Sequence, residues 1–109
     1  MHTGSQLCGP VIADRAFFFM AYFVYILQSA TTGRYYIGHT DDLARRVMQH
    51  NDPEYEGSKT TKRFSGPWQL VYSEECASRS SAMEREKTIK SWKSRKMIAQ
   101  LVESRRSRD

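Results

Sequence analysis

From Tyr22 to Leu27 the chain reads YFVYIL, an unbroken run of aromatic and mostly β-branched apolar residues, bounded by the polar segment Gln28 to Gly33. Arg34 to Gly38 (RYYIG) follows the Gly-containing turn, and the two stretches together predict an antiparallel β-hairpin. A hairpin symmetric about the Ala30/Thr31 junction sets Tyr25 opposite Tyr36, with both phenols on one sheet face. Thr40 can then cap a helix whose first turn holds Asp41 and Asp42, two charges favourable near the positive end of the helix dipole. Leu43 and Val47 give that helix an apolar stripe. Arg46 and His50 stand three and seven residues beyond Leu43, on the same inward side.

Asn51 to Pro67 is polar and basic and reads as a connection, after which Trp68 to Tyr72 (WQLVY) predicts a third strand. Ser78 or a neighbouring serine opens a second helix running to about Lys90, and a last helix covers Arg95 to Glu103. In the second helix Ala82, Met83 and Ile89 define the apolar direction. Glu86 falls in the middle of that stripe, whereas Glu84 points the opposite way. A carboxylate aimed at a core is costly unless it is paired or binds a metal, so periodicity singles out Glu86. The pattern as a whole is α+β: a small three-stranded antiparallel sheet flanked by helices.

With 109 residues the chain has room for one core. Residues 1–20, rich in small and polar types at their start, are expected to form a flexible extension, 21–103 the folded domain and 104–109 a basic tail; Met20 is a second candidate start. The longest apolar run, Ala16 to Leu27, is twelve residues, against the roughly 20 a spanning helix needs. Cys8 and Cys76 form neither a CxxC pair nor a disulfide framework, which points to a reducing, cytoplasmic setting. Residues 1–58 carry four Lys/Arg against six Asp/Glu, and residues 59–109 thirteen against six, within a net charge of +5. Such a skew fits a polyanion partner, although a solvated basic helix face gives the same pattern. Membrane binding is disfavoured because the basic residues lack a long apolar opposite face.

Two tyrosines on one sheet face, with Arg46, His50 and Glu86 leaning inward from two helices, can form a site. Taken singly, each tyrosine is as well explained by packing, and Arg46 by a buried ion pair with Glu86. Read together, however, Phe23-Val24-Tyr25, a short spacer, Tyr36-Ile37-Gly38 and then Arg46, eight residues beyond the glycine, resemble the GIY-YIG nuclease signature. The resemblance runs from about Ala21 to Val102, includes the LVYSEE and AMEREKTIKSWK segments, and is to small stand-alone bacterial members related to the catalytic modules of excision-repair and structure-selective nucleases. It departs from the pattern at Phe23, where the name motif has glycine, and at His39, where several branches place lysine. Asn51 is the sole asparagine, so the C-terminal asparagine of some branches has no counterpart.

The resemblance implies the GIY-YIG fold and hydrolysis of DNA phosphodiesters in repair or recombination, with Tyr25, Tyr36, Arg46, His50 and Glu86 as the catalytic set. It further implies that Glu86 holds one Mg²⁺ or Mn²⁺, a hard cation that needs few protein ligands, and that Arg46 stabilises charge growing on the phosphate. A phenol has an ordinary pKa of about 10, so keeping one ionised at pH 7 costs about 4 kcal/mol unless cations assist; Arg46 and His50 are the candidates. Tyr25 is favoured as general base with Tyr36 orienting the water, and the reverse assignment stays open. His39, Lys59, Lys62, Arg63, Lys90, Lys93 and Lys96 are the expected contacts to DNA phosphates, which position a substrate without reading bases. A protein partner that supplies targeting fits so small a chain. The competing reading is a basic binding module on the same fold with weak or lost catalysis. Zinc held by His39 and His50 is disfavoured by their spacing and the lack of a nearby cysteine, and Cys76 reads as a packed strand-end residue.

Overall fold

A computed structural model describes residues 8–9, 21–55 and 66–107. The chain forms β1 (Cys8–Gly9), β2 (Tyr22–Ser29), β3 (Tyr35–Thr40), α1 (Leu43–Asn51), β4 (Trp68–Cys76), α2 (Arg79–Ser91) and α3 (Arg95–Ser107). All pairings are antiparallel and the strand order is β1-β4-β2-β3. The expected three-stranded sheet is therefore present, with a two-residue strand added at its edge from the segment expected to be an extension. In that pairing Cys8 lies opposite Cys76 along the backbone, and Cys76 is disulfide-bonded, contrary to the expectation of unpaired thiols.

The central strand explains why YFVYIL does not alternate. Val24, Ile26, Ile37 and Cys76 pack with Ala82, Ile89, Ile98 and Val102 of α2 and α3 on one face. Tyr25, Leu27 and Trp68 form a second cluster on the other, beneath Leu43 and Val47 of α1. A strand covered on both faces has no solvent side to fill with polar residues.

The hairpin turn differs from the symmetric expectation. Ser29 Oγ accepts from the backbone N–H groups of Thr31 and Thr32, Gly33 supplies the positive φ of 76°, and the Gly33 N–H reaches the Ser29 carbonyl. The register consequently pairs Tyr25 with Gly38 and Leu27 with Tyr36. A shift of two residues in the pairing preserves the faces, so the two tyrosines are diagonal neighbours on the same side instead of directly opposite.

Helix α1 begins two residues later than Thr40 indicated. Asp42 is its N-cap and accepts from the Arg45 N–H, while Thr40 Oγ1 accepts from the Asp42 N–H and shapes the approach. Ser78 caps α2 in a capping box with Ser81. Met83 is exposed, however, and the inner face of α2 is Ser81, Ala82 and Ile89. Glu86 thus sits at the margin of the packed stripe, not in its middle. Strand β4 runs past Tyr72 because buried Glu74 is neutralised: Arg85 donates to both its oxygens at 3.0 and 3.1 Å, and the Tyr72 hydroxyl donates at 2.6 Å. α3 continues to Ser107, beyond Glu103. No helix among the described residues is long and apolar enough to cross a membrane.

Candidate active site

Tyr25 is the point at which the hairpin and α1 candidates meet. It is 1% exposed, and its register partner on the edge strand β3 is Gly38. A Cβ on Gly38 would lie 2.6 Å from the Tyr25 hydroxyl oxygen and 3.1 Å from Cε2 of Tyr36. The glycine is therefore required by close approach: the phenol folds across the strand in the space a side chain would fill. The Tyr25 and Tyr36 ring centroids are 6.2 Å apart.

Helix α1 lays two polar side chains over this pair. His50, only 3% exposed, places Nε2 2.9 Å from the Tyr25 hydroxyl, and its ring centroid is 4.7 Å from that of Tyr36. Arg46, one turn earlier, is close enough for its guanidinium to favour ionisation of the Tyr25 phenol. Its Nη1 donates to Gln49 Oε1 at 3.0 Å and to the Tyr55 hydroxyl at 3.3 Å, with the guanidinium carbon 5.8 Å from the Tyr55 ring centroid. Tyr55 was not among the residues predicted from sequence; an aromatic in the polar connection, a few residues after α1, was the available signal. The Asn51 side chain fixes the end of this helix to β4, accepting from the Trp68 N–H at 2.7 Å and donating to the Trp68 carbonyl at 2.9 Å.

Glu86 approaches from the other layer. Its Oε1 accepts from His39 Nδ1 at 2.6 Å and its Oε2 is 2.6 Å from Lys90 Nζ. The expected alternative of an Arg46–Glu86 ion pair is replaced by contacts to His39 and Lys90. His39 follows Gly38 directly and pairs in register with Val24, so it faces α2 while His50 contacts Tyr25 on the α1 side. A shared zinc between these histidines is thereby excluded, and no group of three or more His, Cys, Asp or Glu able to hold a metal occurs among the described residues. Two candidate DNA contacts, His39 and Lys90, are engaged with Glu86; Lys93, at the α2–α3 junction, and Lys96 are exposed. Lys59, Lys62 and Arg63 lie outside the described residues.

Electrostatics corrects one expectation. Burial pushes the Tyr25 phenol well above the usual range. The Arg46 guanidinium opposes this, while Tyr36 and the Glu86 charge add to it. Cationic neighbours do not make this phenol acidic, because desolvation of a buried phenolate outweighs them. Glu86, on the α2 side of the sheet, contributes only the weakest of these effects on the Tyr25 phenol, and its direct partners are His39 and Lys90.

A single divalent cation fits this donor set. Glu86 is 17% exposed, neither sealed off nor fully solvated, and a hard oxygen donor at an open edge leaves room for waters and phosphate oxygens. The His39 N–H on one carboxylate oxygen fixes its orientation in the manner of an outer-shell partner.

Comparison with known proteins places these residues in a family. The family model described as GIY-YIG catalytic domain matches residues 21–98. A UPF0213 protein of Desulfotalea psychrophila is 46% identical over 70 residues, covering 64% of this chain and 61% of that protein. A UPF0213 protein of Bacillus pumilus is 36% identical over 84 residues, covering 77% of this chain and 82% of its own length. The structure-specific endonuclease subunit SLX1 of Homo sapiens is 41% identical over 65 residues, 58% of this chain but 24% of that protein. The chain thus spans under two thirds of the Desulfotalea and human relatives. The matched segment contains both tyrosines, Gly38, Arg46, His50 and Glu86 on the α+β scaffold described above, and the chain belongs to the GIY-YIG catalytic-domain family.

Proposed function

We propose that this chain is a metal-dependent endonuclease that hydrolyses DNA phosphodiester bonds, selects its substrate by DNA structure, and serves repair or recombination. The observation that carries this reading is the environment of the Tyr25 hydroxyl: it is buried, packed against Tyr36 and Gly38, and 2.9 Å from His50 Nε2. Structure selectivity is supported by the name of the human relative, a structure-specific endonuclease subunit.

The buried phenol has a different part from that of a preformed phenolate. With His50 Nε2 2.9 Å from the phenol oxygen, the phenol's own proton is directed to the imidazole. Tyr25 then accepts a proton from the attacking water as it passes its own to His50, so no free phenolate accumulates and the proton count balances. Tyr36, packed against the imidazole, orients the water. Arg46, already aligned by Gln49 and Tyr55, meets the charge developing on the phosphate oxygens. Glu86 would hold Mg²⁺ or Mn²⁺, which would supply electrostatic stabilisation of the charge on the leaving oxygen. Lys93 and Lys96 are the exposed candidates for flanking phosphates.

The test is incubation of the purified chain with supercoiled, single-stranded and branched DNA, in Mg²⁺, Mn²⁺ or chelator. Cleavage that chelator stops, and that Glu86→Ala abolishes while thermal unfolding stays cooperative, is the expected result. Full cleavage by Glu86→Ala refutes the metal role. DNA binding without cleavage by the wild-type chain makes it a binding module that needs a partner.

A further inference from the structure

The two partners of Glu86 are not equivalent. His39 is rooted in the edge strand and its Nδ1–H is held at 2.6 Å by Oε1. Lys90 reaches Oε2 from one turn further along the same helix, with its flexible stem 53% exposed. The Glu-before-Lys order at i,i+4 favours this pair on a helix, but water screens an exposed ammonium, so the contact is easily given up. One carboxylate oxygen is thus held by a residue of the edge strand, and the other is covered by a cation able to leave.

Taking Glu86 as the metal ligand, we propose that Lys90 is a resident counter-ion that competes with the divalent cation for Oε2 of Glu86 and so limits metal affinity in the absence of substrate. The ammonium neutralises the charge of the carboxylate at Oε2. A dication at Oε2 has to displace Lys90 and then sits beside its positive charge. Release leaves the ammonium at the C-terminal end of α2, adjacent to exposed Lys93 and Lys96, where phosphates provide its alternative anionic partner. Lys90 is in this account a positioning and competing residue, distinct from the proton-transfer group.

The experiment is titration of the full chain with Mn²⁺ alone, without DNA, following the electron paramagnetic resonance signal of free Mn²⁺. Lys90→Met removes the competing pair and the local repulsion and is expected to bind Mn²⁺ about tenfold more tightly than wild type. Lys90→Gln is expected to move in the same direction, and Lys90→Arg to stay within about threefold of wild type. Glu86→Gln, alone or with Lys90→Met, is expected to abolish the site. Glu86-dependent binding that is unchanged or weaker in both neutral Lys90 variants overturns the competition while leaving the metal reading in place. Binding that is absent throughout, or indifferent to Glu86→Gln, overturns both.

Discussion

At the scale of single residues, Gly38 and Tyr25 define each other. The phenol oxygen occupies the position a Cβ would need, 2.6 Å away. Gly38→Ala must therefore push the phenol off His50 or displace the edge strand. Displacing a catalytic group by about 1 Å costs on the order of 10²-fold in rate, so Gly38→Ala should lose about that factor in single-turnover cleavage. Tyr25→Phe retains the ring but removes the relay oxygen, and general acid–base groups contribute about 10²–10⁴-fold. A Gly38→Ala variant with wild-type turnover would show that the close approach is packing alone. The residue types of this cluster were legible in the sequence: helical spacing placed Arg46 and His50 on one side, and strand alternation put both tyrosines on one face. The upward shift of the phenol was not, because it arises from the depth to which Tyr25 is covered, a property of packing between β2 and α1. The partners of Glu86 were equally hidden, since His39 is 47 residues away along the chain.

Among the elements, β4 and α2 are joined by a polar contact inside an otherwise apolar layer. Glu74 is 2% exposed and accepts from Arg85 and Tyr72; Arg85 also lies 5.9 Å from the Trp92 ring centroid. Removing one member leaves a buried charge without its counter-ion, at a cost of about 3–5 kcal/mol. Arg85→Met should therefore destabilise by about 3 kcal/mol in urea unfolding, near the lower end because Arg85 is itself partly exposed. Pairing Arg85→Met with Glu74→Met should recover much of the loss, because two apolar side chains leave no orphaned charge. If the double variant is no more stable than Arg85→Met, the ion pair is not the source of the cost. This contact also explains why sequence reading ended β4 too early. SEEC is polar by composition, and only Arg85, reached across the layer, makes Glu74 a core residue. The hairpin, all three helices and their order were readable because each has a local cause: an apolar run, a turn, a cap or a period. The Asp42 cap and the two-residue change of register depend on side-chain to backbone bonds that compete locally, and composition alone does not choose among them.

For the molecule as a whole, one buried phenol, Tyr25, and one half-buried phenol, Tyr72, make stability depend on pH in the alkaline range. Burial raises Tyr25, and burial followed by the hydrogen bond to Glu74 and its negative charge raises Tyr72. The unfolded chain releases both protons near the ordinary phenol value of about 10. Below that pH both states keep them, so neither phenol makes stability depend on pH. Above it the unfolded chain ionises while the folded chain still holds its protons, and stability falls as pH rises, by about 1.4 kcal/mol per pH unit for each such group. The loss continues until the folded phenols themselves ionise. Urea midpoints should therefore be nearly level from about pH 8 to 9.5 and decline steeply above about 10. Tyr72→Phe separates the two consequences of one hydroxyl. It loses the hydrogen bond to Glu74 and is less stable at neutral pH by about 1 kcal/mol, yet its alkaline decline should be shallower by one group's share. Tyr25→Phe should flatten the same limb, and the double variant should flatten it most. Equal slopes in all four proteins would mean that the phenols ionise alike folded and unfolded, and would remove the reason for passing the water proton through Tyr25 to His50 instead of storing a phenolate.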